Sequence, residues 1–156
     1  MNKSTQALPQ FDADIKALLD ERARSMLEFV DDYRPLNMYA IYRSDLEMPI
    51  GKLAAQCGHA YLNAYERAVL LRPAVTALYK GSGNGTKICM CFKNLGQLLR
   101  AYREVQAAGL PCDLIVDRGH VLEPHFEGKP IITALGIGPV YADEVKHIVK
   151  RYSLAK

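Results

Sequence analysis

Short apolar runs of strand character alternate with longer segments of helical period along this chain, and that alternation restricts it to a layered α/β fold. The strand-like runs are NMYAIYR (37–43), TKICMCF (86–92), CDLIV (112–116) and IITALGIG (131–138). Between and after them lie helical segments. The longest runs from about Pro49 to Leu71, where proline suits a first helical turn, and Arg72-Pro73 breaks it. A shorter helix covers about Ala74 to Tyr79, and GSGNG (81–85) is a turn. Leu95, Leu98, Leu99, Tyr102 and Val105 mark an amphipathic helix that Gly109 and Pro111 terminate. The last helix spans about Ala142 to Arg151, with acidic residues early and basic residues late, as its dipole prefers. Helices are thus expected on both faces of a mostly buried sheet. The third and fourth strands are joined by a loop, Asp117 to Pro130, with no helix, which points to at least one antiparallel pairing and a mixed sheet.

Ahead of this alternation sits a separate segment. Residues 1–10 read as disordered. Phe11, Ile15, Leu18, Leu19, Met26, Leu27 and Val30 recur at helical spacing, with Asp12 and Asp14 near the helix start. We read residues 1–35 as an N-terminal extension carrying one amphipathic helix, and residues 36–156 as the main domain. The helix can pack on the sheet, pair with another subunit or contact RNA; its sequence does not choose.

Composition excludes some classes of function. No apolar run reaches the roughly 20 residues of a membrane span, and the start MNKSTQALPQFDAD has no signal-peptide core. A cytoplasmic location is the default expectation. A net charge of +3 neither demands nor forbids a nucleic-acid partner. The four cysteines, Cys57, Cys89, Cys91 and Cys112, form no CxxC pair and suit no zinc site, so reduced core residues are expected. His120 and His125 bracket Glu123 without the HExxH register, and neither a GxSxG elbow nor a phosphate-binding GxxxxGK[ST] loop is present. No metal or cofactor is expected.

The long helix carries the most informative polar pattern. Lys52, Gln56, His59 and Asn63 fall at offsets of zero, four, seven and eleven, along one stripe. A solvated surface stripe is the plain alternative, although such a stripe more often carries Glu and Lys. Gly51, Ala54, Ala55, Gly58 and Ala60 are small enough to admit another backbone or a ligand. Lys52 sits in the first helical turn, where a cation is unfavourable unless an anion is held nearby. Asp117 closes a buried strand, a common position for functional groups in α/β sheets, where a carboxylate can orient or deprotonate water. It can equally cap the Arg118-Gly119 turn. Thr133 interrupts an apolar strand as a hydrogen-bonding group or as an ordinary β-branched residue.

These residues carry a resemblance. RSDLEMPIGKLAAQCGHAYLNAY (43–65) resembles the signature of the type-2 peptidyl-tRNA hydrolases, Arg-x-Asp-Leu followed by Met-x-x-Gly-Lys-x-Ala-Ala-Gln-x-x-His-Ala. AAGLPCDLIVDRG (107–119) resembles that family's Ala-Gly-Leu-Pro turn and Asp-terminated strand, and ITALGIGP (132–139) its last strand. The similarity covers about residues 37–156. It implies a three-layer α/β/α fold with a mixed four-stranded sheet, a homodimer, no metal, and hydrolysis of peptidyl-tRNA to free tRNA and peptide. The family's proposed catalytic or binding residues fall on Arg43, Asp45, Lys52, Gln56, His59, Asp117 and Thr133. Lys52 is the expected oxyanion stabiliser and Asp117 the group that orients or activates water, with Gln56 and Thr133 positioning the ester or that water. Arg43, Asp45, His59, Asn63 and Arg118 are the expected substrate-binding residues, although Arg43 can instead hold Asp45 in a structural pair. Three features depart from the family: Val121 stands where many members have Thr, the Asp117–Thr133 loop is about two residues longer and holds His120 and His125, and the helix at 11–30 has no counterpart. A hydrolase of another acyl ester or amide on the same fold, and a non-catalytic tRNA- or protein-binding module, remain the competing readings.

Overall fold

The computed structural model describes residues 9–27 and 34–156. In chain order the elements are α1 (Pro9–Leu27), β1 (Leu36–Arg43), a 3₁₀ turn (Ser44–Leu46), α2 (Ile50–Leu71), α3 (Pro73–Gly81), β2 (Thr86–Phe92), α4 (Leu95–Ala107), β3 (Cys112–Asp117), β4 (Val121–Leu122), β5 (Phe126–Glu127), β6 (Ile131–Tyr141), α5 (Ala142–Val149) and β7 (Ser153–Leu154). The main sheet has the order β3-β6-β1-β2-β7. β1 and β2 pair in parallel; β1 with β6, β3 with β6 and β2 with β7 pair antiparallel. The fold is therefore α/β with a mixed sheet. Its main sheet has five strands where four were expected, because a two-residue segment beyond α5 pairs with the edge of β2. β4 and β5 form a separate hairpin inside the loop after β3.

Strand alternation divides the interior into two layers. Tyr39, Ile41, Met90, Phe92, Leu135 and Ile137 face α4 and α5, where Leu98, Val105, Val145 and Ile148 complete the larger core. Each such side chain taken fully out of water contributes about 1.5–3 kcal/mol. Ala40, Ala134 and Ile115 face the other way, against Cys57 and Ala60 of α2. Met38, Ala64 and Tyr79 extend that layer under α3. α4 is capped at both ends. Asn94 accepts from the Gln97 amide at 3.0 Å. Gly109, with φ +68°, turns the chain so that the Leu110 amide reaches back to Val105 O at 3.2 Å.

The α2 layer is thin because small residues make it so. Ala60, Ala64 and Ala68 are fully buried on one face of α2, and a Cβ on Gly136 of β6 would lie 1.9 Å from the carbonyl oxygen of Ala60. The close approach expected from the small residues of α2 thus occurs at Ala60. Gly51 and Gly58 face open space.

α1 begins at Pro9, two residues before the expected start, and its expected end at Val30 lies outside the described residues, as do residues 1–8. From Ala13 to Arg24 its side chains are exposed, Leu18 and Leu19 at 65% each. Arg22 donates to Asn84 Oδ1 at 2.7 Å, on the turn before β2.

The two kinds of glycine respond oppositely to an added methyl group. Gly136→Ala must push α2 off the sheet against rigid backbone and lowers stability by about 3 kcal/mol. Gly58→Ala lies in a helix interior with room for the methyl and raises stability by about 0.5–1 kcal/mol. Urea denaturation of both variants checks the pair of signs.

Candidate active site

α2 delivers Lys52, Gln56, His59 and Asn63 to one side of an open cleft of about 750 Å³. The end of β3 delivers Ile115, Val116 and Asp117, and the following loop delivers Arg118, Gly119 and His120. Within β3, Asp113, Ile115 and Asp117 share the face toward α2, as strand alternation requires.

Asp117 and Lys52 form an ion pair in which the ammonium meets carboxylate oxygen Oδ2, each side chain only 10% exposed. The Gln56 amide nitrogen donates to that oxygen at 3.3 Å. Among the described residues the other oxygen, Oδ1, accepts no hydrogen bond, so it is available to a molecule in the cleft. The anion that a cation in a first helical turn calls for is therefore Asp117 itself. Asp117 does not cap the Arg118-Gly119 turn; the Gly119 amide donates instead to Gly128 O at 3.1 Å.

Thr133 is fully buried, and its hydroxyl donates to Gln56 Oε1. The Ile115 carbonyl lies 3.3 Å from the same hydroxyl oxygen. Thr133 owes this position to a β-bulge. Ile115 pairs with Ala134 but Val116 pairs with Ile132, leaving Thr133 as the extra residue. Ile132 and Leu135 face α4 and α5, whereas both Thr133 and Ala134 face α2. Without the bulge, simple alternation would send the hydroxyl to the opposite face. The two bonds fix the Gln56 amide: its oxygen must face the Thr133 donor and its nitrogen the Asp117 acceptor.

The remaining expected residues divide into two groups. His59 and Arg118 line the cleft and are exposed. Asn63 also lines it and donates to Asp113 Oδ2 at 3.0 Å, with Arg67 3.7 Å from the same carboxylate. Arg43 and Asp45 are not among the residues lining the cleft. Arg43 binds Asp45 through Nε at 3.1 Å and NH2 at 2.7 Å, and donates NH1 to Ile132 O at 2.9 Å. The fork ties the end of β1 to β6 beside the Thr133 bulge.

Two residues of the site have no signature in the spacing. The ring of Phe126, on β5, lies under the Lys52 ammonium at 4.1 Å from its centroid and is 1% exposed. His120 packs edge-on against that ring, centroids 6.0 Å apart, and lines the cleft. The only hint was an aromatic side chain inside the otherwise polar run EPHFEGK. Between α2 and β2, Cys57 and Cys89 face each other with sulfurs 3.6 Å apart. The hydrogen bond from Cys57 draws the Cys89 thiol below its usual range, while sharing that proton and burial push Cys57 up. Burial also pushes the neighbouring Tyr61 phenol up. Among the described residues no group of three or more His, Cys, Asp or Glu is placed to hold a metal ion.

Taken as chemistry, the cleft holds a carboxylate oxygen able to accept from water, an ammonium beside it and an oriented amide. That combination suits addition of water to a carbonyl. Comparison with known proteins agrees in class. The family described as "Peptidyl-tRNA hydrolase PTH2" matches residues 36–155. The chain is 35% identical to the peptidyl-tRNA hydrolase of Methanococcus vannielii over 115 residues, 73% of this chain and 94% of that protein. It is 41% identical to the peptidyl-tRNA hydrolase of Halobacterium salinarum over 117 residues, 72% of this chain and 93% of that one. With a probable peptidyl-tRNA hydrolase 2 of Drosophila melanogaster it shares 30% identity over 118 residues, 75% of this chain and 60% of the fly protein. The chain belongs to the peptidyl-tRNA hydrolase PTH2 family.

Proposed function

We propose that this protein hydrolyses the ester that joins a peptide to the terminal ribose of tRNA, releasing free tRNA and peptide. The observation that carries the proposal is the meeting, in a member of this family, of Lys52 and Gln56 from α2 with Asp117 from β3 in one cleft, with buried Thr133 of β6 bonded to Gln56.

A water molecule accepts its orientation from Asp117 Oδ1 and attacks the acyl carbon. Asp117 takes the water's proton as the carbon–oxygen bond forms. The carbonyl oxygen becomes an oxyanion, stabilised by the Lys52 ammonium. These two events are coupled electrostatically. As Asp117 is neutralised, its hold on Lys52 weakens, and the positive charge is released to the oxyanion at the moment that charge develops. When the tetrahedral intermediate collapses, the ester bond breaks and the ribose oxygen takes the proton held on Asp117. Gln56, fixed by Thr133, keeps Asp117 Oδ2 engaged so that Oδ1 faces the cleft. His59, Asn63 and Arg118 bind the tRNA end along the open side of the cleft. Arg43 and Asp45 act indirectly, by holding β1 to β6.

Purified protein is expected to release tRNA from an N-blocked aminoacyl-tRNA in the presence of a chelator. Lys52→Ala and Asp117→Ala each lower kcat by about a hundredfold or more, with the circular-dichroism spectrum unchanged. Wild-type rates in both variants refute the assignment.

One observation favours a second reading, hydrolysis of a different acyl ester: the β4–β5 hairpin brings His120 to the cleft wall. Competition between an N-blocked aminoacyl-tRNA and a small N-acyl ester separates the two readings. On the tRNA reading, the preference for tRNA falls steeply between 50 and 200 mM salt, by roughly tenfold or more for a few phosphate contacts. A preference for the small ester that salt does not move supports the alternative.

We also infer that the protein is a cytoplasmic homodimer, with residues 1–35 an extension to a catalytic domain over 36–156. Among the described residues no helix is long and apolar enough to cross a membrane. Leu62, Leu70 and Leu78 on α2 and α3 are exposed at 56%, 79% and 48%, apolar area of the kind a subunit contact covers. Sedimentation of the full chain and of a chain lacking residues 1–35 is expected to give a dimer in both; a monomer only after truncation assigns the contact to α1, and a monomer in both removes the dimer.

A further inference from the structure

Phe126 belongs to the loop in which this chain departs most from its family resemblance, and it is the residue that backs Lys52. The loop is closed by two backbone bonds, Gly119 N to Gly128 O at 3.1 Å and Gly128 N to His120 O at 3.0 Å. Between them β4 and β5 pair, with Leu122 opposite Phe126. This closure returns the chain to the foot of α2 and leaves the Phe126 ring 1% exposed beneath the Lys52 ammonium, 4.1 Å from Nζ to the centroid. His120 stands perpendicular to the ring, at 89° with centroids 6.0 Å apart.

An ammonium has three donors and no rotational preference of its own. Here Asp117 Oδ2 takes one direction and the face of Phe126 another. The direction that remains opens on the cleft that Lys52 lines. The negative face of an aromatic ring attracts a cation, most strongly where water is displaced, as it is at a side chain 10% exposed. A ring of equal shape without that quadrupole would fill the space and hold the ammonium less firmly.

We propose that Phe126 is a positioning residue for the hydrolytic reaction, its ring face fixing the Lys52 ammonium at the point where the oxyanion forms. The proposal rests on Lys52 being the oxyanion group. The β4–β5 hairpin then serves to carry an aromatic face to the foot of α2. His120, perpendicular to the ring, packs against it.

The test replaces Phe126 in the full chain by its 4-fluoro, 3,5-difluoro and 3,4,5-trifluoro analogues, which weaken the ring's negative face in steps at nearly constant shape. Each is assayed for kcat, KM and Tm beside Lys52→Ala. kcat is expected to fall stepwise with fluorination, by about twofold to thirtyfold across the series, with KM and Tm unchanged. Phe126→Tyr, which keeps the ring face, retains most of the rate, whereas Phe126→Leu lies at or below the end of the series. A residue that merely packs the hairpin would move Tm and leave kcat flat along the fluorinated series. A flat series beside an inactive Lys52→Ala overturns this proposal alone. A Lys52→Ala variant at wild-type rate overturns both the proposal and the role of Lys52 beneath it.

Discussion

The close seating of α2 on β6 is the contact on which the site depends. Gly136 lets the Ala60 backbone approach the sheet to a distance that no side chain would permit. Ala64 and Ala68 continue that seat along the buried face. With the helix so near, side chains of only moderate reach span from α2 to the neighbouring strands. Gln56 meets Thr133 on β6 and Asp117 on β3, and Lys52, one turn earlier, meets Asp117 as well. A helix held a few ångströms higher by bulkier residues would leave these four groups facing one another across water, with neither the amide orientation nor the ion pair enforced. The small residues of α2 thus act in two ways. Those facing inward set the distance, while Gly51 and Gly58 face open space where a Cβ would stand.

The ion pair between Lys52 and Asp117 is poor as a stabilising device. Both partners are largely removed from water, and desolvating two charges offsets much of their attraction. Lys52 also stands in a first helical turn, where the backbone dipole opposes it. The surroundings answer these costs with specific contacts: a second donor from Gln56 on the carboxylate and an aromatic face beneath the ammonium. Such an arrangement favours geometry over stability, which is what a pre-organised polar site requires. The Arg43–Asp45 fork contrasts with it. Its guanidinium donates three times, twice to Asp45 and once to the Ile132 carbonyl, so it ties the end of β1 to β6.

Much of this organisation was legible in the residues because it obeys simple periods. The helical stripe from Lys52 to Asn63 and the strand end at Asp117 follow from spacing of 3.6 and 2, and both reach the cleft. Thr133 was legible as a polar interruption of an apolar strand, but not the face it occupies, because the bulge that turns it toward Gln56 is a property of pairing with β3. β7 escaped for a related reason. Two residues, Ser153 and Leu154, are too short to show alternation, and their strand character comes from the open edge of β2. The hairpin at 121–127 is also held by pairing: Val121-Leu122 and Phe126-Glu127 are each two residues long, and the backbone bonds between Gly119, His120 and Gly128 define it. The roles of Phe126 and His120 follow from that closure, so no local pattern could assign them.

Side chains of the cleft differ sharply in exposure, and on the proposed reading that contrast separates chemistry from recognition. Lys52, Gln56 and Asp117 are nearly dry, and Thr133, bonded to Gln56, is fully buried. Around them the effective dielectric is low, and a charge developing on an acyl oxygen is felt strongly by the ammonium. His59 and Arg118 are exposed, so a charged contact there is weakened by solvent and salt. A substrate with a small reactive ester on a large polyanionic body matches that contrast: the ester meets the buried groups, and the phosphate-bearing body meets the exposed ones, where neither partner has to be fully desolvated. A small neutral ester would use only the buried groups and gain nothing from Arg118. On the proposed reading, the cleft therefore divides its functions by water content, with chemistry where electrostatics are strong and recognition where charges can remain solvated.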